Sequence, residues 1–125
     1  MFGYNVANDL ESEQFAMSAA SNILTLGQQL SYQKEASPEL LRHVPVTQIE
    51  ALTLSVGARC GKAIPPFQAV GVTQNLVGSS DGVTKLAQYT VTAKLQHCVA
   101  MFLVQASKKG ADWQLTGLRY RVDPS

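Results

Sequence analysis

Gln88-Tyr89-Thr90-Val91-Thr92-Ala93-Lys94-Leu95-Gln96 is the stretch whose reading decides the fold. Its odd positions, Tyr89, Val91, Ala93 and Leu95, are apolar, and its even positions are Gln, Thr and Lys. A period of two means a strand with one face on a core and the other in water or in an interface. Val99-Ala100-Met101-Phe102-Leu103-Val104 comes next and is apolar on both faces, which predicts a central strand. A turn near Gln96-His97 would join the two. It contains no Gly, Pro or Asn, so one long bent strand is the alternative reading.

Toward the C-terminus, Lys108-Lys109-Gly110 predicts a hairpin loop. The last strand begins with Trp113 and Leu115 inward, then shifts phase to Leu118, Tyr120 and Val122. Gly117 lies at the shift, where a β-bulge belongs, and Arg119 and Arg121 share the opposite face. Toward the N-terminus, Phe67 to Val77 reads as a strand carrying Val70, Val72 and Leu76, and Gly78-Ser79-Ser80-Asp81-Gly82 as its hairpin loop.

Before Pro65-Pro66 the period changes to 3.6. Asn8 and Glu11 form a capping box that opens a long helix running to about Gln33, with Ala16, Ala19, Ala20, Ile23, Leu26, Gly27 and Leu30 on its inner stripe. Ser37-Pro38-Glu39 starts a short second helix through Leu40 and Leu41, which Pro45 ends. Val46 to Gly61 fits two templates. Ile49, Leu52, Val56 and Cys60 are helically spaced behind a Thr47/Glu50 capping box, whereas Leu52, Leu54 and Val56 alternate as in a strand. Gly61, placed as a C-terminal cap, favours the helix.

These elements predict one α+β domain over residues 1–125, with a helical part over about 8–61 and a sheet part over about 66–122. A long N-terminal helix and short helices would pack on a curved four-stranded antiparallel sheet. The order resembles NTF2-like and cystatin-like domains. The stretch from Tyr89-Thr90-Val91-Thr92 to Lys109-Gly110-Ala111-Asp112-Trp113-Gln114-Leu115 is similar to the closing hairpins of the NTF2-like family, where a Gly-containing turn leads to a Trp-bearing final strand. Within that family, the periplasmic domains of VirB8-type secretion components share the size and the helices-before-sheet order. That resemblance implies an assembly part rather than an enzyme.

Composition narrows the function. The net charge of +1 and basic residues without interleaved aromatics argue against a nucleic-acid partner. No apolar run reaches the length of a membrane span, and the N-terminus does not read as a signal peptide. An anchor or signal upstream of Met1 is compatible with both observations. Residues 1–54 hold two cations against six anions, and residues 55–125 hold eight against three. This suits a negative helical half facing a positive sheet half, or a basic sheet face that meets an acidic partner.

NTF2-like enzymes, by the resemblance, use a carboxylate or His inside the cone. Here the predicted strands carry no carboxylate, since Asp81 and Asp112 fall in loops and Asp123 near the end. There is no phosphate loop and no G-x-S-x-G elbow, so no cofactor is expected. His97 continues the odd-numbered face and could enter a pocket with Tyr89, Tyr120 and Trp113, as in a small-molecule-binding cone; a core or turn histidine is the plainer reading. His43 suits the end of its short helix. Cys60, Cys98, His43 and His97 have the right chemistry for zinc but match no ligand spacing, so no metal is expected. Cys60 and Cys98 read either as two buried thiols or as a disulfide, the latter pointing to an extracytoplasmic compartment. The reading this supports is a non-enzymatic interaction or assembly module, with envelope, secretion or pilus systems as its setting. Contact with a protein partner or a second copy would run through Thr90, Thr92, Lys94, Arg119 and Arg121.

Overall fold

A computed structural model describes residues 10–25, 27–79, 82–109 and 112–124, excepting the side chains of 75–79, 82–84 and 109. Four helices precede four strands: α1 (Leu10–Leu24), α2 (Gln29–Glu35), α3 (Pro38–His43), α4 (Val46–Cys60), β1 (Ala63–Ser79), β2 (Gly82–Leu95), β3 (Cys98–Lys109) and β4 (Asp112–Pro124). The strands form one antiparallel sheet in the order β1-β2-β3-β4. The α+β class and the helices-before-sheet order therefore hold.

The alternation in β2 sets the core. Tyr89, Val91, Ala93 and Leu95 are all buried, while Gln88, Lys94 and Gln96 are exposed. Ala100, Phe102 and Val104 of β3, and Leu115 and Leu118 of β4, complete the inner face. Ala16, Ala19, Ala20 and Ile23 lie on it from α1, and Ile49, Val56 and Cys60 from α4. Three alanines on one stripe let the α1 backbone sit close to the sheet.

The long first helix is two helices. Gly27 takes a φ of +90°, which ends the helical path, and the chain restarts at Gln29. The stripe loses its phase there, so Leu30, expected inside, is 76% exposed. Leu26 and the Asn8 cap lie outside the described residues. At the end of α1, the Thr53 hydroxyl of α4 stands 2.5 Å from the Ile23 carbonyl and 2.9 Å from its own Ile49 carbonyl, which ties the two helices.

Ser37 caps α3, its hydroxyl accepting the Leu40 N–H at 3.1 Å, with Pro38 at the first turn. Val46–Cys60 is helical, and Gly61 succeeds it at φ +79°. The Thr47/Glu50 box does not form, because Pro45 takes the N-cap position and the helix has already begun at Val46. Pro65-Pro66 does not precede the sheet but interrupts it. β1 pairs at Ala63 and Ile64, shifts register across the prolines and resumes at Gln68. Prolines are tolerated there because β1 is an edge strand.

Gln96-His97 is the β2–β3 turn. The β1–β2 loop tip at residues 80–81 and Gly110 of the last hairpin lie outside the described residues. Lys108 and Lys109 belong to β3 rather than to a loop, and Asp112 and Asp123 fall within β4, against the expectation of acid-free strands. The expected bulge is present: Gln105 pairs with Gly117 and Ala106 with Leu115, leaving Thr116 as the extra residue.

Cys60 and Cys98 form a disulfide with Cα atoms 5.1 Å apart. It joins the last residue of α4 to the first of β3 and is flanked by the His97 N–H donating to the Cys60 carbonyl at 2.9 Å. Closing 38 residues should contribute about 3–4 kcal/mol in the chain-entropy account. Cys60→Ser/Cys98→Ser should therefore unfold at lower denaturant with a loss of about that size. The oxidised protein should show no free thiol after denaturation without reductant.

Candidate functional site

All four helices lie on the inner side of the sheet or against the β4 edge, so the outer face carries no helix of the described chain. The register puts its side chains in rows. Val70, Thr90, Leu103 and Arg119 form one, and Gln68, Thr92, Met101 and Arg121 the next. Ile64, Lys94, Val99 and Asp123 form a third beside the turn. The five residues expected at an interface, Thr90, Thr92, Lys94, Arg119 and Arg121, thus share one face.

That face is more apolar than the sequence pattern predicts. Val99 to Val104 is expected to be buried on both sides, yet Met101 is exposed and Val99 and Leu103 are half-buried on the open side. Val70 is 76% exposed and Val72 40%. Cations flank this apolar strip. Arg121 pairs with Asp123 at 2.8 Å, while no ion pair among the described residues holds Lys94 or Arg119.

The bulge shapes the face. One depression of about 480 Å³ runs over Leu103, Gln105, Gly117 and Arg119 to Glu39 and His43 of α3. Another, of about 310 Å³, lies among Val72, Gln74, Leu86, Gln88 and Thr116. A third, of about 780 Å³, lies elsewhere, between α1, α4 and the start of β1, with Leu24, Leu54, Pro65 and Phe67 on its walls and Lys62 its one charged residue.

The residues expected to line a ligand cone do not converge. His97 sits exposed in the β2–β3 turn, because the strand ends at Leu95 and the odd-numbered face ends with it. Tyr89 is buried, but its hydroxyl is engaged: Ser12 Oγ lies 2.8 Å away and Thr73 Oγ1 3.2 Å, with Ser12 and Thr73 themselves 2.7 Å apart. Tyr120 accepts from Gln48 Nε2 at 2.8 Å. None of these three residues, nor Trp113, lines the three depressions above.

Trp113, expected inward, is half-buried and packs on the first turns of α1. Its ring stacks on Phe15 at 6.2 Å, and Nε1 donates to Glu11 Oε1 at 2.7 Å. Glu11 also forms an ion pair with Lys108. These two hydrogen bonds, led by that of Lys108, hold the Glu11 carboxyl below its ordinary pKa. A helical anion thus meets a cation of the sheet, as the uneven charge distribution suggests.

Glu35 is not legible as a special residue in the sequence. The end of α2 is drawn onto β4 by the Ser37 N–H donating to the Leu115 carbonyl at 2.8 Å. Glu35 Oε1 is thereby buried without a hydrogen-bond partner, and burial raises the Glu35 pKa. No signal in a short Gln-Lys-Glu helix end marks it. Among the described residues no group of three or more His, Cys, Asp or Glu side chains could hold a metal ion, and the disulfide removes both thiols from a zinc set. No described helix is long and apolar enough to cross a membrane. Comparisons with protein-family models, with curated proteins and with solved structures found no match.

Both glutamates and the tryptophan give measurable outcomes. A folded-state pKa raised by burial disfavours the native state as pH rises, from the ordinary glutamate value up through the raised one. Glu35→Gln should therefore be more stable than the parent at neutral pH and equal to it in acid, measured by denaturant unfolding across pH. Because the chain has one tryptophan, fluorescence reports on Glu11 directly. The Trp113 signal should change with a midpoint below the ordinary glutamate range, and Glu11→Gln should abolish that step. Trp113→Ala should cost about 1–3 kcal/mol, less than a fully buried ring, in the same unfolding assay.

Proposed function

We propose that this chain is a non-enzymatic protein-interaction or assembly module and that the outer face of the sheet is its docking surface. The observation that carries the reading is the uncovered strip of Val99, Met101 and Leu103 along β3, flanked by Lys94 of β2 and by Arg119 and Arg121 of β4. An apolar centre with a polar, charged rim is the usual anatomy of a protein interface. Thr90 and Thr92 add hydroxyls that can satisfy partner backbone groups without closing the surface.

The setting proposed is extracytoplasmic, as in bacterial envelope, secretion or pilus systems. The Cys60–Cys98 disulfide supports it, since such bonds persist in oxidising compartments. The same proposal places the chain among NTF2-like domains, with the VirB8-type periplasmic domains as the narrower form, on the helices-before-sheet order.

Sedimentation velocity at micromolar concentration tests the docking face. The parent should self-associate with concentration, and Arg119→Glu/Arg121→Glu should weaken association through this face about tenfold, read as loss of species larger than any dimer the variant retains, while leaving the circular dichroism spectrum unchanged, because both side chains are exposed. A strictly monomeric parent, or an arginine variant that associates as strongly, counts against the face.

A further inference from the structure

The two edges of the sheet are built differently. The β4 edge is partly occupied by Ala36 and Ser37, which bridge and hydrogen-bond Leu115. It also carries Asp112, Arg119, Arg121 and Asp123. The β1 edge has no backbone partner among the described residues on the side away from β2. From Ala63 to Ser79 it contains no Lys, Arg, Asp or Glu. Exposed edges are normally blunted by charge, proline or a bulge. Here the prolines lie before Gln68, and the two register shifts fall before Gln68 and after Leu76, so the stretch from Gln68 to Gln74 carries neither.

The β1 segment just past the prolines is close to a palindrome: Gln68-Ala69-Val70-Gly71-Val72-Thr73-Gln74. Reversed about Gly71, it sets Val against Val, Ala against Thr and Gln against Gln. We propose that β1 pairs antiparallel with β1 of a second copy, about a two-fold axis at Gly71, so that the two four-stranded sheets become one. The edge donates and accepts its own ladder of hydrogen bonds, as in strand addition. Because one patch serves both copies, the contact closes as a dimer.

Side-chain placement fits this register. Val70 and Val72 stand on the outer face, 76% and 40% exposed, and each would gain the partner's other valine as a cross-strand neighbour. Gln68 and Gln74, both exposed, would meet at the two ends of the paired stretch, where their amides can bond each other. Ala69 and Thr73 face inward beneath them. A foreign strand would need to supply this pattern by chance, whereas a second copy supplies it by symmetry. The pairing goes beyond the docking-face reading, since it uses the backbone edge of β1 and needs none of the β4 cations.

The register supplies the test. Residues paired across an antiparallel ladder have Cα atoms about 4.5–5.5 Å apart, within reach of a disulfide. Position 68 of one copy and position 68 of the other would be roughly 20 Å apart, at about 3.3 Å for each of six residues. Gln68→Cys and Gln74→Cys proteins are mixed, oxidised mildly and read by non-reducing mass spectrometry. The crossed 68–74 dimer should form at least tenfold more than either self-linked dimer. It should form as well when both proteins also carry Arg119→Glu/Arg121→Glu, and it should be lost with Val70→Lys/Val72→Lys. Self-linking of Gln68→Cys as readily as cross-linking, or no crossed dimer at all, overturns the edge pairing. Loss of the crossed dimer in the arginine background overturns it too, and leaves the face as the site of association.

Discussion

The structure depends on a one-sided sheet. Tyr89, Val91, Ala93 and Leu95 cannot all be covered unless the helices gather on their side, and Ala100, Phe102 and Val104 of the neighbouring strand demand the same cover. α1 and α4 supply it, and α2 and α3 are held at the β4 edge, so no described helix covers the opposite face. The open surface is thus a consequence of how the core is satisfied. The covalent bond at the turn end reinforces the arrangement, because Cys60 fixes the end of α4 to the first residue of β3, where the inner face begins.

Polar groups inside this core are arranged to serve each other. Ser12, Thr73 and Tyr89 join α1, β1 and β2 through one hydroxyl cluster, with two of its contacts spanning more than sixty residues. Buried hydroxyls with partners cost little and fix which surfaces meet, whereas an unpaired one would be expensive. Tyr32 acts similarly between helices: its hydroxyl donates to the Val44 carbonyl at 2.6 Å, and burial pushes its pKa up to about 12. Glu35 is the exception, a carboxylate whose buried oxygen has no partner. Its penalty is a consequence of drawing the end of α2 against Leu115, the contact that also covers part of the β4 edge.

The elements governed by local pattern are legible in the sequence. Alternation in β2, the Ser37-Pro38 start of α3, the Gly61 cap and the Thr116–Gly117 bulge each obey a rule acting over a few residues. Features set by distant contacts are not legible. The break at Gly27 looks like one small residue on a small-residue stripe. Trp113 looks like a core anchor, but its ring meets Phe15 and Glu11 on the first turns of α1. His97 continues the inner face on paper, and a turn one residue after Leu95 places it in solvent. Of the candidate surface, the polar and cationic members do share one face, as their alternation predicts. Its apolar centre is hidden in the sequence because Val99, Met101 and Leu103 look like the second buried side of a central strand.

The same one-sidedness gives the functional account its central claim, that the outer face is a docking surface rather than bare surface. Paramagnetic solvent relaxation of methyl groups tests this most directly, measured over a concentration series on Met101, Leu103, Val99 and Val70, with Leu30 on the helical side as the exposed reference. The account predicts that relaxation at the outer-face methyls falls as concentration rises, while that at Leu30 does not change. Outer-face methyls that remain as accessible at the highest concentration as at the lowest would contradict it.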